Sequence, residues 1–287
     1  MLRRLRARAA ARVSRLGLLA VALEQHRAAP VPDLAGTVEV ETTFARLLLD
    51  ARDEVITPAL LATRGWEPGE TALLGGHIGP GMTVIDGGAH VGYYSCLAAR
   101  LVGPRGLVVA FEPSPRNYEL LLANVWRNGF TNVLCLPWAL AAESGFAELH
   151  LSATNTGDNR LRPAEEARER VRVRLVALDS LDALRPPVDV VKLDVQGHEE
   201  AAVRGMERLL SGSSDMLVTC EFWPQGVRES GGDPAALLDY YRSLGFGVGV
   251  QFPDEKGVLD WGDAKIFARC GEQGHVNLVL TRHRDAK

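Results

Sequence analysis

From Thr83 to the C-terminus, short apolar runs rich in β-branched residues alternate with longer segments in which apolar residues return every three or four positions. Thr83 to Ile85, Leu107 to Phe111, Asn132 to Leu136, Val188 to Leu193 and Met216 to Cys220 read as buried strands. Tyr94 to Leu101, Pro115 to Asn128, Glu199 to Leu210 and Pro234 to Leu244 read as the helices between and after them, and Phe246 to Gln251 with Val276 to Thr281 as a closing strand pair. This alternation predicts an α/β protein with a doubly wound, mostly parallel sheet. Phe146 to Leu151 and Val171 to Val176 are two extra strands around a polar loop.

The first 80 residues are patterned differently. Arg3, Arg4, Arg6, Arg8, Arg12 and Arg15 precede any acid, and Leu5, Ala9, Leu16, Leu19 and Leu23 recur at near-helical spacing. Residues 1–33 are therefore expected to form a basic amphipathic helix and a proline-containing linker. The apolar run Leu16 to Leu23 is too short to span a bilayer and lacks a cleavage site, so no transmembrane segment or secretory signal is expected. Such a helix packs on its own domain, on a second copy to make a homodimer, or on a membrane surface. Residues 34–80 hold strand-like runs at Val38 to Val40 and Phe44 to Leu49 and a mostly helical stretch from Pro58 to Ile78. They are expected to form a lid layer ahead of a catalytic domain at 81–287.

Composition narrows the picture. The chain has 287 residues, 46% hydrophobic and 24% charged, enough for one soluble catalytic domain with a helical and β appendage. Its net charge of −4 gives no overall attraction to nucleic acid, and it lacks an aromatic cluster for stacking bases. Cys96, Cys135, Cys220 and Cys270 are far apart with no C-x-x-C pair, which suits reduced cysteines in a cytoplasmic protein.

Candidate chemistry begins where the first strand ends. Thr83 to Asp86 runs into Gly87-Gly88-Ala89-His90-Val91-Gly92, a turn that brings backbone close to a ligand before the next helix. The second strand delivers Glu112, placed to accept hydrogen bonds from both hydroxyls of a ribose. The loop by itself also fits a nicotinamide dinucleotide. Asp86 favours S-adenosylmethionine, because a carboxylate there suits a cationic sulfonium or amino group and sits badly beside a pyrophosphate. The candidate cofactor-binding set is Asp86, Gly88, Ala89, His90, Gly92, Tyr94, Ser95, Glu112, Pro113, Ser114 and Asp194.

A second constellation, Lys192-Leu-Asp194-Val-Gln196-Gly197-His198-Glu199, carries Asp194 to the end of the fourth strand and His198 to a helix start. In open α/β sheets the carboxyl ends of the strands face the ligand crevice. Together these segments resemble the FkbM family of S-adenosylmethionine-dependent methyltransferases. The matching residues are Asp86 to Gly92, Phe111-Glu112-Pro113, Asn124 and Asn128, the Leu178 to Leu181 turn, Lys192 to Glu199, and Gly205-Met206. The resemblance covers roughly residues 37 to 250. His90 stands where asparagine is usual and Gln196 where glutamate is usual. The resemblance implies a class I, Rossmann-like methyltransferase fold and methyl transfer to a hydroxyl of a sugar or specialised metabolite.

In-line displacement at a methyl group needs the two substrates held together, and an alcohol must also lose a proton. His198 is the candidate general base and Asp194 the residue that orients the acceptor or takes the proton. Asn155, Arg160, Arg162, Glu199 and Glu221 are candidate substrate-binding residues, the arginines for an anionic handle on a small-molecule acceptor. Arg172 and Arg174 alternate with Val171, Val173 and Leu175 and are expected on a solvated strand face paired with Glu165, Glu166 and Glu169. Asp179, Asp194, Glu199 and Glu221 could ligate a divalent metal, but no spacing demands one and none is expected. Carboxyl or amine methylation with the same donor, or donor binding without turnover, are the alternatives.

Overall fold

The computed structural model describes residues 16–27, 35–162, 168–252, 257–272 and 274–282. The basic residues Arg3 to Arg15, the linker at residues 29–33, and Glu165 and Glu166 lie outside them. A helix over 16–27 (α1) comes first, then strands β1 (Thr37–Glu41) and β2 (Arg46–Asp50) and helices α2 (Ile56–Thr63) and α3 (Pro68–His77). Next are β3 (Thr83–Gly87), α4 (Tyr93–Val102), β4 (Leu107–Phe111), α5 (Pro115–Arg127) and β5 (Val133–Leu136). An inserted group, β6 (Trp138–Leu140), β7 (Gly145–Leu151) and β8 (Glu169–Val176), precedes β9 (Val190–Leu193), α6 (Glu199–Arg204) and α7 (Glu207–Gly212). The chain closes with β10 (Met216–Phe222), α8 (Pro224–Glu229), α9 (Pro234–Ser243), β11 (Gly247–Gln251), α10 (Asp263–Cys270) and β12 (Val276–Arg282).

The main sheet has the order β11-β12-β10-β9-β3-β4-β5. The five strands from β10 to β5 are parallel, and β12 runs antiparallel between β10 and β11. From β3 the chain winds outward to β4 and β5, then returns to β9 on the other side, so the topological switch point lies between β3 and β9. This is the class I methyltransferase fold. Side chains alternate across the sheet: Val84, Val108, Val190 and Leu217 enter one core cluster, and their neighbours Ile85, Val109, Val191 and Val218 enter the other. β1 and β2 form an antiparallel hairpin, and Leu47, Leu49, Leu60 and Leu74 share the first cluster with Tyr93, Leu97 and Leu121. The segment from β1 to α3 is thus packed into the same body as α4 and α5.

The helix expected from Glu199 to Leu210 is two short helices. A Cβ on Gly205 would lie 1.9 Å from the Ala141 carbonyl oxygen, and the Gly205 carbonyl accepts the Asp179 N–H at 2.8 Å. That close backbone approach interrupts the helix. Asp179 then caps α7, accepting N–H bonds from Arg208 (2.6 Å) and Leu209 (3.2 Å). Both of its carboxylate oxygens are taken up by these backbone bonds.

Side-chain amides close two strand edges. Asn124 on α5 accepts the Leu48 N–H at 2.6 Å and donates to the Leu48 carbonyl at 3.0 Å, and Asn128 does the same for Arg46 at 2.9 and 2.7 Å. Gln25 on α1 accepts the Cys135 N–H at 2.9 Å and donates to its carbonyl at 2.6 Å. Ala22 is buried in the core beside Leu18 and Leu19. Helix α1 therefore docks on its own domain against the edge strand β5.

Candidate active site

At the carboxyl ends of β3, β4, β9 and β10 the strands open into a cavity of about 430 Å³. Its donor side starts at the glycine turn. The N–H groups of Gly88 and Ala89 both donate to the Phe111 carbonyl at 2.9 Å, and Asp194 N–H donates to Gly87 O at 3.0 Å. Gly88 has φ +79, and a Cβ there would lie 1.9 Å from the Asp194 carbonyl oxygen. Only glycine allows β3 and β9 to be stitched together this closely. Gly88, Ala89, His90, Tyr94, Glu112, Pro113 and Asp194 all line the cavity.

Glu112 is buried. Its Oε2 accepts the His90 N–H at 2.8 Å and its Oε1 the Ser114 N–H at 2.9 Å. Burial raises its carboxyl to about 7 against the pull of those N–H groups. Each oxygen keeps a further lone pair, the acceptor set that the two hydroxyls of a ribose require. Gly92, Ser95 and Ser114 shape this wall from behind and do not line the space. The same holds for Asp86, expected to face the cationic end of the donor. Its Oδ2 accepts the Ser95 hydroxyl at 2.5 Å beneath the turn, and burial raises its pKa.

His90 adopts a left-handed backbone, φ 51, which asparagine tolerates better than most residues. Its side chain reaches the loop between β7 and β8. Thr156 Oγ1 donates to Asp53 at 2.7 Å and so accepts from His90 Nε2 at 2.8 Å, fixing the ring tautomer. Burial lowers the His90 pKa to about 4, so the ring is neutral. Asn117 and Asn159 both donate to the Thr156 carbonyl, at 2.8 and 2.9 Å. Thr156 thus ties the loop to α5 and to the glycine turn, and through Asp53 to the start of α2. Asn155 and Arg160 reach the cavity from this loop.

The other end is polar. Gln196, at φ 54, donates from Nε2 to Asp194 Oδ1 at 2.8 Å and to Glu221 Oε2 at 3.1 Å. Lys192 Nζ lies 3.4 Å from Asp194 Oδ2 and 4.8 Å from the Tyr94 ring centroid. Burial would depress the Lys192 pKa, but Asp194, Glu70, Asp86 and Glu67 together raise it. Burial raises the Glu221 pKa well above the usual carboxylate range, helped by Asp194 and Glu199. His275 Nε2 lies 3.7 Å from Glu221 Oε1. One amide standing between two carboxylates explains the glutamine, since glutamate at this position would put a third carboxylate against them.

Several expected site residues lie elsewhere. His198 precedes α6 and does not line the cavity, and burial lowers its pKa. Glu199 is also outside the lining; its Oε1 accepts the N–H groups of Val195 and Gly197 at 3.1 Å, holding the turn after β9. Arg162 pairs with Glu229, stacks on Trp223 at 4.8 Å and is absent from the lining. Arg160 pairs with Asp158 at 2.5 Å and stacks on the same ring at 4.9 Å. Each guanidinium has a carboxylate partner, while Arg162 Nε and Nη2 are buried with no hydrogen-bond partner. Among the described residues, no group of three or more His, Cys, Asp or Glu could hold a metal ion. Nor is any helix there long and apolar enough to cross a membrane.

The sequence reading missed Trp66, Glu67, Thr156, Trp223 and His275, which all reach the cavity. Comparison with known proteins follows from the geometry. The sequence profile of the methyltransferase FkbM domain matches residues 86–248, more than half of the chain. The chain belongs to the FkbM methyltransferase family. It is a methyltransferase, and S-adenosylmethionine is the donor of the family. No curated protein gives a sequence match. Methyltransferase FkbM from Methylobacillus flagellatus KT is a similar solved structure, 13% identical with a TM-score of 0.44. The likeness covers 69% of this chain and 43% of that one, so this FkbM chain spans less than half the length of the Methylobacillus protein. TYW2 from M. jannaschii, in complex with AdoMet, is 13% identical with 87% of each chain covered and a TM-score of 0.49. A SAM-dependent O-methyltransferase from Thermotoga maritima is 13% identical with 89% of each covered and a TM-score of 0.46. The residues of this FkbM chain fit the donor: Glu112 offers acceptors for the hydroxyls of a ribose at the carboxyl end of β4.

Proposed function

We propose that the protein is an S-adenosylmethionine-dependent O-methyltransferase that methylates a hydroxyl of a small polar molecule, a sugar or a specialised metabolite, in the cytoplasm. The observation that carries this reading is the continuity of one cavity from Glu112 to Asp194, Glu221 and Trp223. A ligand held at Glu112 and an acceptor between Asp194 and Trp223 share one continuous space of a size typical of small-molecule sites. Bound S-adenosylmethionine supplies an electrophilic methyl group. The protein's part is to hold a hydroxyl in line and manage its proton. Asp194, steadied by Lys192 and Gln196, is the carboxylate placed to accept the hydroxyl hydrogen. Glu221, whose pKa burial raises, stands on the far side of Gln196 from Asp194, within reach of a neighbouring oxygen of the acceptor. The Trp223 ring gives an apolar face for the carbon skeleton.

Isotope-labelled methyl transfer to a panel of polyhydroxylated metabolites tests this. Label on an oxygen is expected, and Asp194→Asn should lower kcat about 10²- to 10⁴-fold with S-adenosylhomocysteine affinity retained. Label on nitrogen or a carboxyl group would overturn the hydroxyl reading in favour of amine or carboxyl methylation.

A further inference from the structure

We propose that Glu67 binds the α-ammonium group of the methyl donor, so that the segment ahead of the catalytic sheet completes the donor site. This rests on the donor reading above and is independent of the acceptor. Glu67 lies outside the stretch matched by the family profile and stands in the turn between α2 and α3. Its backbone is left-handed, φ 40 and ψ 72, a costly conformation for a residue with a Cβ. As the residue before α3 it makes no side-chain cap bond to that helix. The conformation instead turns the carboxylate into the cavity, which it lines.

The turn is held from α4. Tyr93 Oη accepts the Trp66 N–H at 3.1 Å, and the Thr71 hydroxyl donates to the Trp66 carbonyl at 2.6 Å. Tyr94 Oη donates to Glu67 Oε2 at 3.1 Å. The carboxylate therefore stands beside the first turn of α4, which follows directly from the glycine loop. Glu67 and Glu112 line the same cavity, so a nucleoside with its ribose at Glu112 would have Glu67 within the space open to its amino-acid tail.

Charge points the same way. Glu67, Glu112, Asp158, Asp194 and Glu221 line the cavity. Of its permanent cations, Lys192 is paired with Asp194 and Arg160 with Asp158. Glu70 adds another carboxyl against Glu67, and burial, then Glu70 and Asp194, hold Glu67 up at about 8. Lys192 pulls the other way, but its hydrogen bond goes to Asp194, so Glu67 is left able to accept from a ligand with N–H groups. The ammonium supplies them, whereas a sulfonium has no hydrogen to donate.

Calorimetry on the full chain with S-adenosylhomocysteine, S-adenosylmethionine and 5′-methylthioadenosine tests the assignment, because the last keeps the nucleoside and thioether and lacks the amino acid. Glu67→Gln should weaken the first two by about ten- to a hundredfold and methylthioadenosine by less than about twofold. Equal loss for all three would make Glu67 a structural residue and overturn the proposal. Loss with S-adenosylmethionine alone would place it at the sulfonium and also overturn it. Glu67→Gly relieves the left-handed strain, so it should match or exceed the parent in Tm while losing S-adenosylhomocysteine affinity; retained affinity would reject the assignment. A parent that binds none of the three defeats the donor reading itself, before any variant is compared.

Discussion

Around Glu112 the site is held by bonds from main-chain N–H groups, whereas around Glu221 it is held by contacts between side chains. The first end depends on backbone groups that a short sequence motif dictates: the Gly88 and Ala89 N–H bonds to Phe111 and the His90 and Ser114 N–H bonds to Glu112. The second end depends on partners from distant elements, with Gln196 between Asp194 and Glu221, and Arg160 and Arg162 on Trp223. A main-chain wall tolerates few substitutions and keeps one ligand. A side-chain wall can be refitted to new acceptors while the donor end stays as it is.

The sharpest way to break the contrast is at the main chain. Gly88→Ala adds a Cβ against the Asp194 carbonyl at a positive φ, and should cost about 3–5 kcal/mol in denaturant unfolding. A loss below about 1 kcal/mol would show that this wall can give way. Next comes the turn beneath Asp194. Burial holds Glu199 at about 7 in the folded protein, above its ordinary 4.5. A raised carboxyl contributes stability below pH 4.5 that is lost as pH rises toward 7, on the order of 3 kcal/mol. Thermal melts should show Tm falling across that window, and Glu199→Gln should flatten the fall.

Binding separates the two ends further. Glu112→Ala should weaken S-adenosylhomocysteine by about 1.5–3 kcal/mol in calorimetry, with little change in acceptor KM measured at saturating donor. The smallest effect is expected on the side-chain wall. Arg162→Ala removes a partly exposed ion pair and a ring contact, about 1 kcal/mol of stability, and should leave donor affinity unchanged. Lost donor affinity in a folded Arg162→Ala protein would mean that the two ends are coupled.

The donor end was legible in the sequence because its determinants are local. Strand runs such as Leu107 to Phe111 coincide with the observed strand, and Gly88 and Glu112 lie where pattern and spacing put them. The helix break at Gly205 was not legible, since its cause is the Ala141 carbonyl far away in the chain. The surroundings of Arg162 and His198 were hidden for the same reason: whether a charged side chain faces a cavity or a partner depends on contacts across the fold. Glu67 carried no periodic signal. It is one acid in a turn, and only the placement of Tyr94 gives it a direction.

The carboxamides that clasp strand edges bear on what covers the ends of the sheets. An open strand edge is a template onto which another chain can add, and each added strand exposes a new edge. A side-chain amide satisfies one residue's N–H and carbonyl and offers no further ladder, so it terminates growth. Gln25 does this for Cys135 in β5, whose sequence Val133-Leu134-Cys135-Leu136 is wholly apolar. Helix α1 therefore acts as a stopper. A chain cut after residue 27 would keep the cavity and the donor motif, yet carry a bare apolar edge able to seed fibrillar aggregates.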